Sequence, residues 1–211
     1  MKKFLMLLAA GFVALAAWAQ TPEEILQKMS KTMDRGEKEG MAMTMDMKVP
    51  ILGTMSMRVL NLGQKSRIST SMMGRTVTMW DDGATMCTYS AEEGEITIED
   101  SKTGSSSSEA DDNLGLAKGV TDGYDAVLKS ETADAWFFEC KKQKSNKDKD
   151  APKKMDISVW KDSYCLREMS ASVKGVKVVL RDISFDVKEE DVSFDISQFP
   201  DAKVTDKRVQ E

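Results

Sequence analysis

The sequence predicts an α+β fold: a curled antiparallel β-sheet, or half-barrel, of about ten strands with a helical lid over its apolar concave face. Three observations lead to this prediction. Short segments of alternating polarity follow one another with tight turns between them, as in antiparallel meanders. One amphipathic helix precedes these segments. The apolar residues of successive segments share one side, and such a face requires a cover.

Residues 1–19 have the pattern of a secretory signal peptide. Two lysines precede an apolar run, which ends in the small-x-small sequence Ala17-Trp18-Ala19, and cleavage is expected before Gln20. The run is shorter than the roughly 20 apolar residues of a membrane span. We therefore expect a protein that is exported to the periplasm and soluble there, with residues 20–211 forming a single domain.

The first predicted element of that domain is a helix over residues 22–36. Thr21 is a good N-cap, Pro22 suits the first helical position, and Glu24 completes a capping box. The apolar residues that follow form one stripe along the helix: Ile25, Leu26, Met29 and Met33. The helix must therefore pack against the sheet.

Alternation of polar and apolar residues predicts two groups of strands, separated by glycine, proline and aspartate-glycine turns. The first group contains six strands, at residues 40–50, 54–62, 66–73, 75–81, 84–90 and 95–100. The second group contains four strands, at residues 133–143, 154–161, 164–172 and 175–187. Such short loops indicate antiparallel neighbours within each group.

The segment between the two groups has a different composition. Residues 101–112 are polar and serine-rich, which predicts a linker. From residue 113 to residue 130 the apolar residues recur at helical spacing, and glycines interrupt them. We expect two short helices here, broken near residues 121–123, which would complete the lid.

Composition excludes several classes of function. The chain has no histidine, which removes the commonest general base and the commonest zinc ligand. Its net charge of −5 argues against a general nucleic-acid-binding protein. The sequence contains no glycine-rich phosphate loop and no catalytic constellation. We therefore expect no enzyme activity.

The three cysteines leave two alternatives open. In an oxidising compartment Cys140 and Cys165 can pair if their strands are neighbours, which leaves Cys87 free and buried. Equally, all three can remain unpaired apolar side chains, because sequence alone does not determine connectivity.

Methionines alternate along the first predicted strands. Those at positions 41, 43, 45 and 47 share one face, and Met55 and Met57 repeat the arrangement. We assign further apolar residues to the same face of the sheet, namely Ile68, Met72, Val77, Met79, Met86, Ile96 and Ile98. Methionine is flexible and common on adaptable apolar binding surfaces. This face is predicted to line a cavity for an acyl chain.

The predicted lining residues are Met43, Met45, Met55, Met57, Met79 and Met86. Two other interpretations compete with a lipid cavity. The methionines fill an ordinary core, as most apolar stripes do, or their thioethers converge on a Cu(I) ion. No histidine and no CxxC motif supports the metal.

A lysine-rich loop at residues 141–154 also has two interpretations. It is a solvated hairpin tip, or it docks on an anionic membrane or an acidic partner.

Two stretches resemble the LolA-like outer-membrane lipoprotein carriers. Residues 64–98 are similar to that family's basic strand residue, aspartate-glycine turn and tyrosine-ended strand, which correspond here to Arg67, Asp82-Gly83 and Tyr89. Residues 180–208 resemble its ending. The chain departs from the family pattern in the methionine-rich cavity lining, the serine linker, and the absence of a proline near Arg67.

The resemblance implies a half-barrel whose apolar cavity takes up the acyl chains of lipoproteins leaving the inner membrane. It also implies no cofactor and no enzyme activity. We further expect a monomer that docks on proteins of the inner and outer membranes. Arg67 is a candidate contact for a polar group at the cavity mouth or for the lid; its alternative is a surface salt bridge. The alternative functions are a methionine-rich periplasmic copper-binding protein and a non-enzymatic envelope sensor of lipid or stress.

Overall fold

The computed structural model describes residues 20–51, 53–101 and 123–208. The predicted signal peptide, the linker beyond Ser101 and the first part of the predicted lid, residues 113–122, lie outside the described residues.

The first helix begins as the sequence predicts. Helix α1 spans Pro22–Met33, and the Thr21 side chain accepts a hydrogen bond from the Glu24 backbone N–H at 3.2 Å. The Glu24 carboxylate accepts one from the Thr21 N–H at 3.0 Å, which completes the capping box. The helix ends at Met33 rather than at residue 36, and a short helix α2 follows at Gly36–Glu39. None of the described helices is long and apolar enough to cross a bilayer.

Twelve strands follow within the described ranges. They are β1 Met41–Val49, β2 Gly53–Leu62, β3 Lys65–Met72, β4 Arg75–Asp81, β5 Thr85–Ser90, β6 Glu95–Asp100, β7 Tyr124–Glu131, β8 Ala135–Lys142, β9 Lys154–Trp160, β10 Leu166–Val173, β11 Val176–Phe185 and β12 Lys203–Asp206. A short helix α3 (Glu189–Val192) and a 3₁₀ turn (Ile196–Gln198) lie between β11 and β12. All ten predicted strands are confirmed, whereas β7 and β12 are strands that the sequence did not predict.

The strands form one curled, unclosed sheet in the order β12-β6-β5-β4-β3-β2-β1-β11-β10-β9-β8-β7. Neighbours within each meander are antiparallel, and β12 alone runs parallel to its neighbour, β6. The two predicted groups of strands meet where β1 pairs with β11. The predicted half-barrel with a helix is thus the observed α+β architecture.

The predicted second lid helix is wrong over the described part of its range. Residues 124–131 form strand β7, which pairs with β8 at one edge of the sheet. Apolar residues four apart are also an even number apart, so Tyr124 and Leu128 fit one face of a strand as well as one stripe of a helix. Tyr124 and Ala126 pack against the core, whereas Val127 and Leu128 are exposed.

Helix α1 packs on one face of the central strands, which we call the helix face. Its four stripe residues are buried there together with side chains from β1, β2 and β8–β11. The strand residues of this core include Met41, Met43, Met45, Val59, Phe138, Ile157, Val159, Leu166, Met169 and Leu180. The core therefore lies beneath α1, near the junction of the two meanders.

A polar link crosses the opposite face at the same junction. The Asp46 carboxylate on β1 accepts hydrogen bonds from the Ser56 hydroxyl on β2 and from Arg181 Nε on β11, each at 2.7 Å. These two hydrogen bonds hold the pKa of Asp46 below its usual value, and the bond from Arg181 has the larger effect. Asp46 therefore connects three neighbouring strands.

We expect Asp46→Asn to lower the free energy of unfolding by about 1 kcal/mol at neutral pH, because the ion pair is partly exposed. A carboxyl whose pKa is lowered by folding stabilises the protein above its ordinary pKa of about 3.9, and that contribution disappears as the pH falls through the folded-state value. Urea unfolding at several pH values should therefore show the two proteins converging below about pH 4. A difference that stays constant down to the acid limit would contradict this role.

The three cysteines are unpaired and buried. Cys140 lies opposite Met155 at the start of β9, whereas the Cys165 carbonyl accepts a hydrogen bond from the Trp160 N–H at the end of β9. The length of that strand separates the two thiols, which excludes the Cys140–Cys165 disulfide in this fold. Burial raises the pKa of all three thiols, that of Cys140 to about 11.

Candidate functional site

The strand register brings most of the predicted methionines to the helix face. Across β1 and β2, Met45 lies directly opposite Met57, and Met47 lies opposite Met55. Pairing continues through β3 and β4 in rows that run across the sheet. One row contains Met43, Val59, Ile68 and Met79, and the next contains Met45, Met57, Thr70 and Val77. Met86 lies opposite Asp81 and so shares the face of Met79.

We call this set the methionine wall. It consists of Met43, Met45, Met47, Met55, Met57, Met79 and Met86. The wall has two parts that differ in burial, one beneath helix α1 and one beyond it. Met43 and Met45 are only 3% and 4% exposed and belong to the core under the helix. The four predicted lining residues on β2, β4 and β5 are partly exposed, and of these only Met57 packs against that core. The wall thus runs from the core beneath α1 to partly exposed positions on β2, β4 and β5.

The far end of the helix face is polar, which corrects one assignment made from the sequence. The partners of Met86 and Thr88 on β6 are Glu99 and Thr97, so these polar residues share the helix face. Because side chains alternate along a strand, Ile96 and Ile98 lie on the opposite face rather than with the methionines. A groove of about 360 Å³ occupies this polar end and includes Val77 and Thr88 in its lining.

On β4, β5 and β6 the opposite face is apolar as well. Trp80, Cys87 and Ile96 are buried there. The chain between β11 and β12 covers them with two phenylalanines: the Phe194 ring centroid lies 5.3 Å from that of Trp80, and the Phe199 centroid lies 4.4 Å from that of Tyr89. On β5 and β6 the helix face also carries the polar residues Thr88, Thr97 and Glu99, which limits the extent of the methionine wall.

Arg67 lies on the opposite face, away from the wall. Its strand neighbours are Leu60 and Trp80, and its guanidinium carbon lies 5.4 Å from the Trp80 ring centroid. The Nε atom is buried without a hydrogen-bond partner among the described residues. Arg67 is thus separated by the sheet from the methionines, and its observed contact is the aromatic ring rather than α1.

Asn61 is a polar residue of the helix face that the sequence analysis missed. It lies opposite Met41, at the end of the wall near α2, and is 9% exposed. Its amide nitrogen has no hydrogen-bond partner within the described part of the chain. The alternation from Val59 to Asn61 was the available signal, because residues two apart on a strand share a face.

The described residues contain no cluster of three or more histidine, cysteine, aspartate or glutamate side chains suited to a metal ion. Thioether pairs such as Met45 with Met57 nevertheless face one another across β1 and β2. Soft metals accept such ligands, so the copper alternative requires an experimental test.

No family model and no curated protein matches the sequence. Several solved structures are similar to the chain. A crystal structure of an uncharacterized conserved protein from Thermus thermophilus has a TM-score of 0.42 and 13% identity, covering 89% of this chain and 100% of that one. A LolA superfamily protein from Nitrosomonas europaea has a TM-score of 0.31 and 12% identity, with coverages of 83% and 99%.

An outer membrane lipoprotein-sorting protein domain from Vibrio parahaemolyticus has a TM-score of 0.32 and 14% identity, covering 81% of this chain and 95% of that domain. A LolA superfamily protein and a lipoprotein-sorting domain are among the solved structures that are similar to this chain.

Proposed function

We propose that the protein is a periplasmic carrier that holds the acyl chains of a lipoprotein, or of another lipid, against the methionine wall. The observation that carries this proposal is the partial exposure of Met55, Met57, Met79 and Met86 on the helix face. Apolar surface in contact with water favours any apolar ligand that covers it, by about 0.8 kcal/mol per methylene transferred. Flexible thioethers adapt to a chain that has no fixed shape.

Helix α1 suits the role of a movable cover. Its polar attachments to the β9–β10 loop are few and exposed, and they include the contact of Gln20 with the Tyr164 hydroxyl at 2.9 Å and that of Thr32 with the Ser163 carbonyl at 3.3 Å. Its remaining hold on the sheet is apolar, through residues such as Met29. An acyl chain that enters beside α1 replaces the apolar contacts between the helix and the sheet with apolar contacts of its own. Met43 and Met45 then line the bound acyl chain.

The cargo determines the partners. An acylated lipoprotein must be received from one membrane and delivered to another, so we propose docking proteins at the inner and outer membranes. The carrier acts without catalysis, because capture and release by apolar burial require no chemical step. It acts as a monomer. Asn61 offers a buried amide donor for a carbonyl group of the cargo.

We expect the double variant Met55→Asp plus Met79→Asp to lose bound lipid while remaining folded. Both side chains are partly exposed, so the free energy of unfolding should change by about 1 kcal/mol or less. Native mass spectrometry of protein purified from the envelope fraction measures the lipid adduct. The matched control is Ile196→Asp plus Val204→Asp, which adds the same charges at exposed apolar positions away from the wall.

The alternatives predict different spectra. An adduct of lipid mass in the wild type that disappears in the double variant supports the carrier. A metal-mass adduct without lipid, after growth with copper, would instead make the thioethers a copper site. A wild-type chain without any adduct would mean that the methionines only complete the core.

A further inference from the structure

One end of the sheet combines protruding apolar turns with a concentration of positive charge. The register places four hairpin turns there, because Val49 pairs with Gly53, Met72 with Arg75, Ser90 with Glu95 and Val173 with Val176. The turn between Ser90 and Glu95 is acidic, and the positive charge lies with the other three. The loop from β8 to β9 returns at the same end. We call this end the hairpin rim, which consists of residues 48–51, 73–75, 143–154 and 174–177.

Two large apolar side chains project from this rim into water. Ile51 is fully exposed and Met73 is 74% exposed, each at the tip of its hairpin. Both have positive φ angles, 74° for Ile51 and 52° for Met73. Residues other than glycine, asparagine and aspartate rarely adopt this conformation, and a β-branched isoleucine is especially disfavoured. Neither local conformation nor core packing explains apolar residues at these two positions.

One cation lies near each exposed tip. Lys48 and Arg75 adjoin the two apolar turns and are exposed. Farther along the rim a groove of about 680 Å³ is lined by five lysines and two aspartates: Lys149, Lys153, Lys154, Lys174, Lys177, Asp150 and Asp156. The acidic residues of the β5–β6 turn, Glu92 and Glu93, lie beyond Arg75 toward β6. The positive charge is therefore concentrated between the β3–β4 turn and the β8–β9 loop.

We propose that the hairpin rim docks directly on the surface of an anionic phospholipid bilayer. Ile51 and Met73 insert among the acyl chains, and the lysines contact lipid phosphates. A bilayer suits both features because its interface presents anionic groups above an apolar layer. An acidic protein surface would match the lysines, but it would leave isolated apolar tips without an apolar environment.

Docking of this kind goes beyond the proposed carrier function and does not depend on the identity of a cargo. It also gives the methionine wall an orientation. Met47 and Met55 form the end of the wall nearest the rim, only two residues from the β1–β2 turn at Val49 and Gly53. A lipid leaving the bilayer at the rim would meet the wall at this end.

The test is co-sedimentation with vesicles, using protein purified from the envelope fraction. Vesicles of phosphatidylcholine alone are compared with vesicles of equal parts phosphatidylcholine and phosphatidylglycerol. We expect binding to the anionic vesicles and a loss of affinity of about tenfold per side chain in Ile51→Asp plus Met73→Asp. Aspartate tolerates positive φ better than isoleucine, so this variant is expected to fold. Ile196→Asp plus Val204→Asp, which adds the same charges away from the rim, is the matched control and should bind as the wild type does.

A second pair of variants tests the charge. Lys153→Gln plus Lys177→Gln should weaken binding by about fivefold per lysine at moderate salt. The control pair Lys31→Gln plus Lys38→Gln removes the same charge near α1 and should have no such effect. Failure of the wild type to bind anionic vesicles would overturn the proposal. So would binding that needs the lysines but not Ile51 and Met73, because it would mean electrostatic adsorption without insertion.

The two proposals can fail separately. The Met55→Asp plus Met79→Asp variant should still bind vesicles, because both side chains lie outside the rim. The Ile51→Asp plus Met73→Asp variant should keep any lipid adduct seen by mass spectrometry. A variant that loses vesicle binding but retains the lipid adduct therefore tests the docking proposal without testing the carrier function.

Discussion

Replacement of Met45 by aspartate is expected to lower the free energy of unfolding by about 4 kcal/mol. Met45 is buried under α1 with Leu180 opposite it on β11 and Met57 opposite it on β2. A carboxylate there would lose its hydration, because its nearest neighbours on that face, Met43, Met47, Met57 and Leu180, are all apolar. A change of this size approaches the whole stability of many domains, so partial unfolding at ambient temperature is an expected consequence.

Urea unfolding followed by circular dichroism measures this effect, and Met55→Asp provides the comparison. Met55 belongs to the same wall but is partly exposed, so we expect it to change the free energy of unfolding by about 1 kcal/mol or less. The contrast between the two variants tests how α1 divides the wall. A Met45→Asp protein as stable as Met55→Asp would show that the helix does not close over β1.

Replacement of Gly40 by alanine is expected to cost about 3 kcal/mol or more. Gly40 connects α2 to β1 with φ 73° and ψ 163°, a conformation that is essentially restricted to glycine and costs other residues about 1–3 kcal/mol. A Cβ atom would also lie 2.8 Å from the Asn61 carbonyl oxygen and 2.8 Å from Val187 Cβ. One of these neighbours lies on β2 and the other follows β11, so neither can yield without moving the sheet or the chain that crosses it.

Gly175→Ala is the matched control for this prediction. Gly175 has a similar φ of 86°, but a Cβ atom there meets nothing within 4 Å. Its substitution should therefore show the conformational cost alone, about 1–2 kcal/mol. Thermal unfolding of both variants separates the two contributions. Equal losses would mean that the close approach at Gly40 relaxes without cost.

Much of the fold was predictable because it depends on local rules. The capping box at Thr21 and Glu24 specifies where α1 begins, whatever the helix later packs against. Alternation along β1 and β2 placed the methionines on one face, since side chains of a strand alternate with a period of two. The same rule was sufficient to separate Arg67 from Ile68, although the sequence analysis did not apply it to Arg67.

The predictions were wrong where a local pattern fits two structures equally well, or where the pairing of strands decides which face a side chain occupies. The apolar spacing in residues 124–130 fits a helix and a strand equally well, and hydrogen bonding to β8 selects the strand. The face of Ile96 depends on the register between β5 and β6, because a shift of one residue moves every side chain to the other face. Strand β12 forms only because the returning chain reaches β6, a contact distant in sequence.

The sequence by itself determined the first helix, the strands of the two meanders and the common face of the methionines from position 43 to position 57. These features follow from capping, turn chemistry and side-chain alternation, which act over a few residues. Only the tertiary structure decided which methionines are core and which are exposed. That division depends on where α1 lies across strands from both meanders, and those strands become neighbours only when β1 pairs with β11. Burial is a property of the assembled layers of helix and sheet. Methionine is therefore part of the stabilising core at position 45 and partly exposed at position 55.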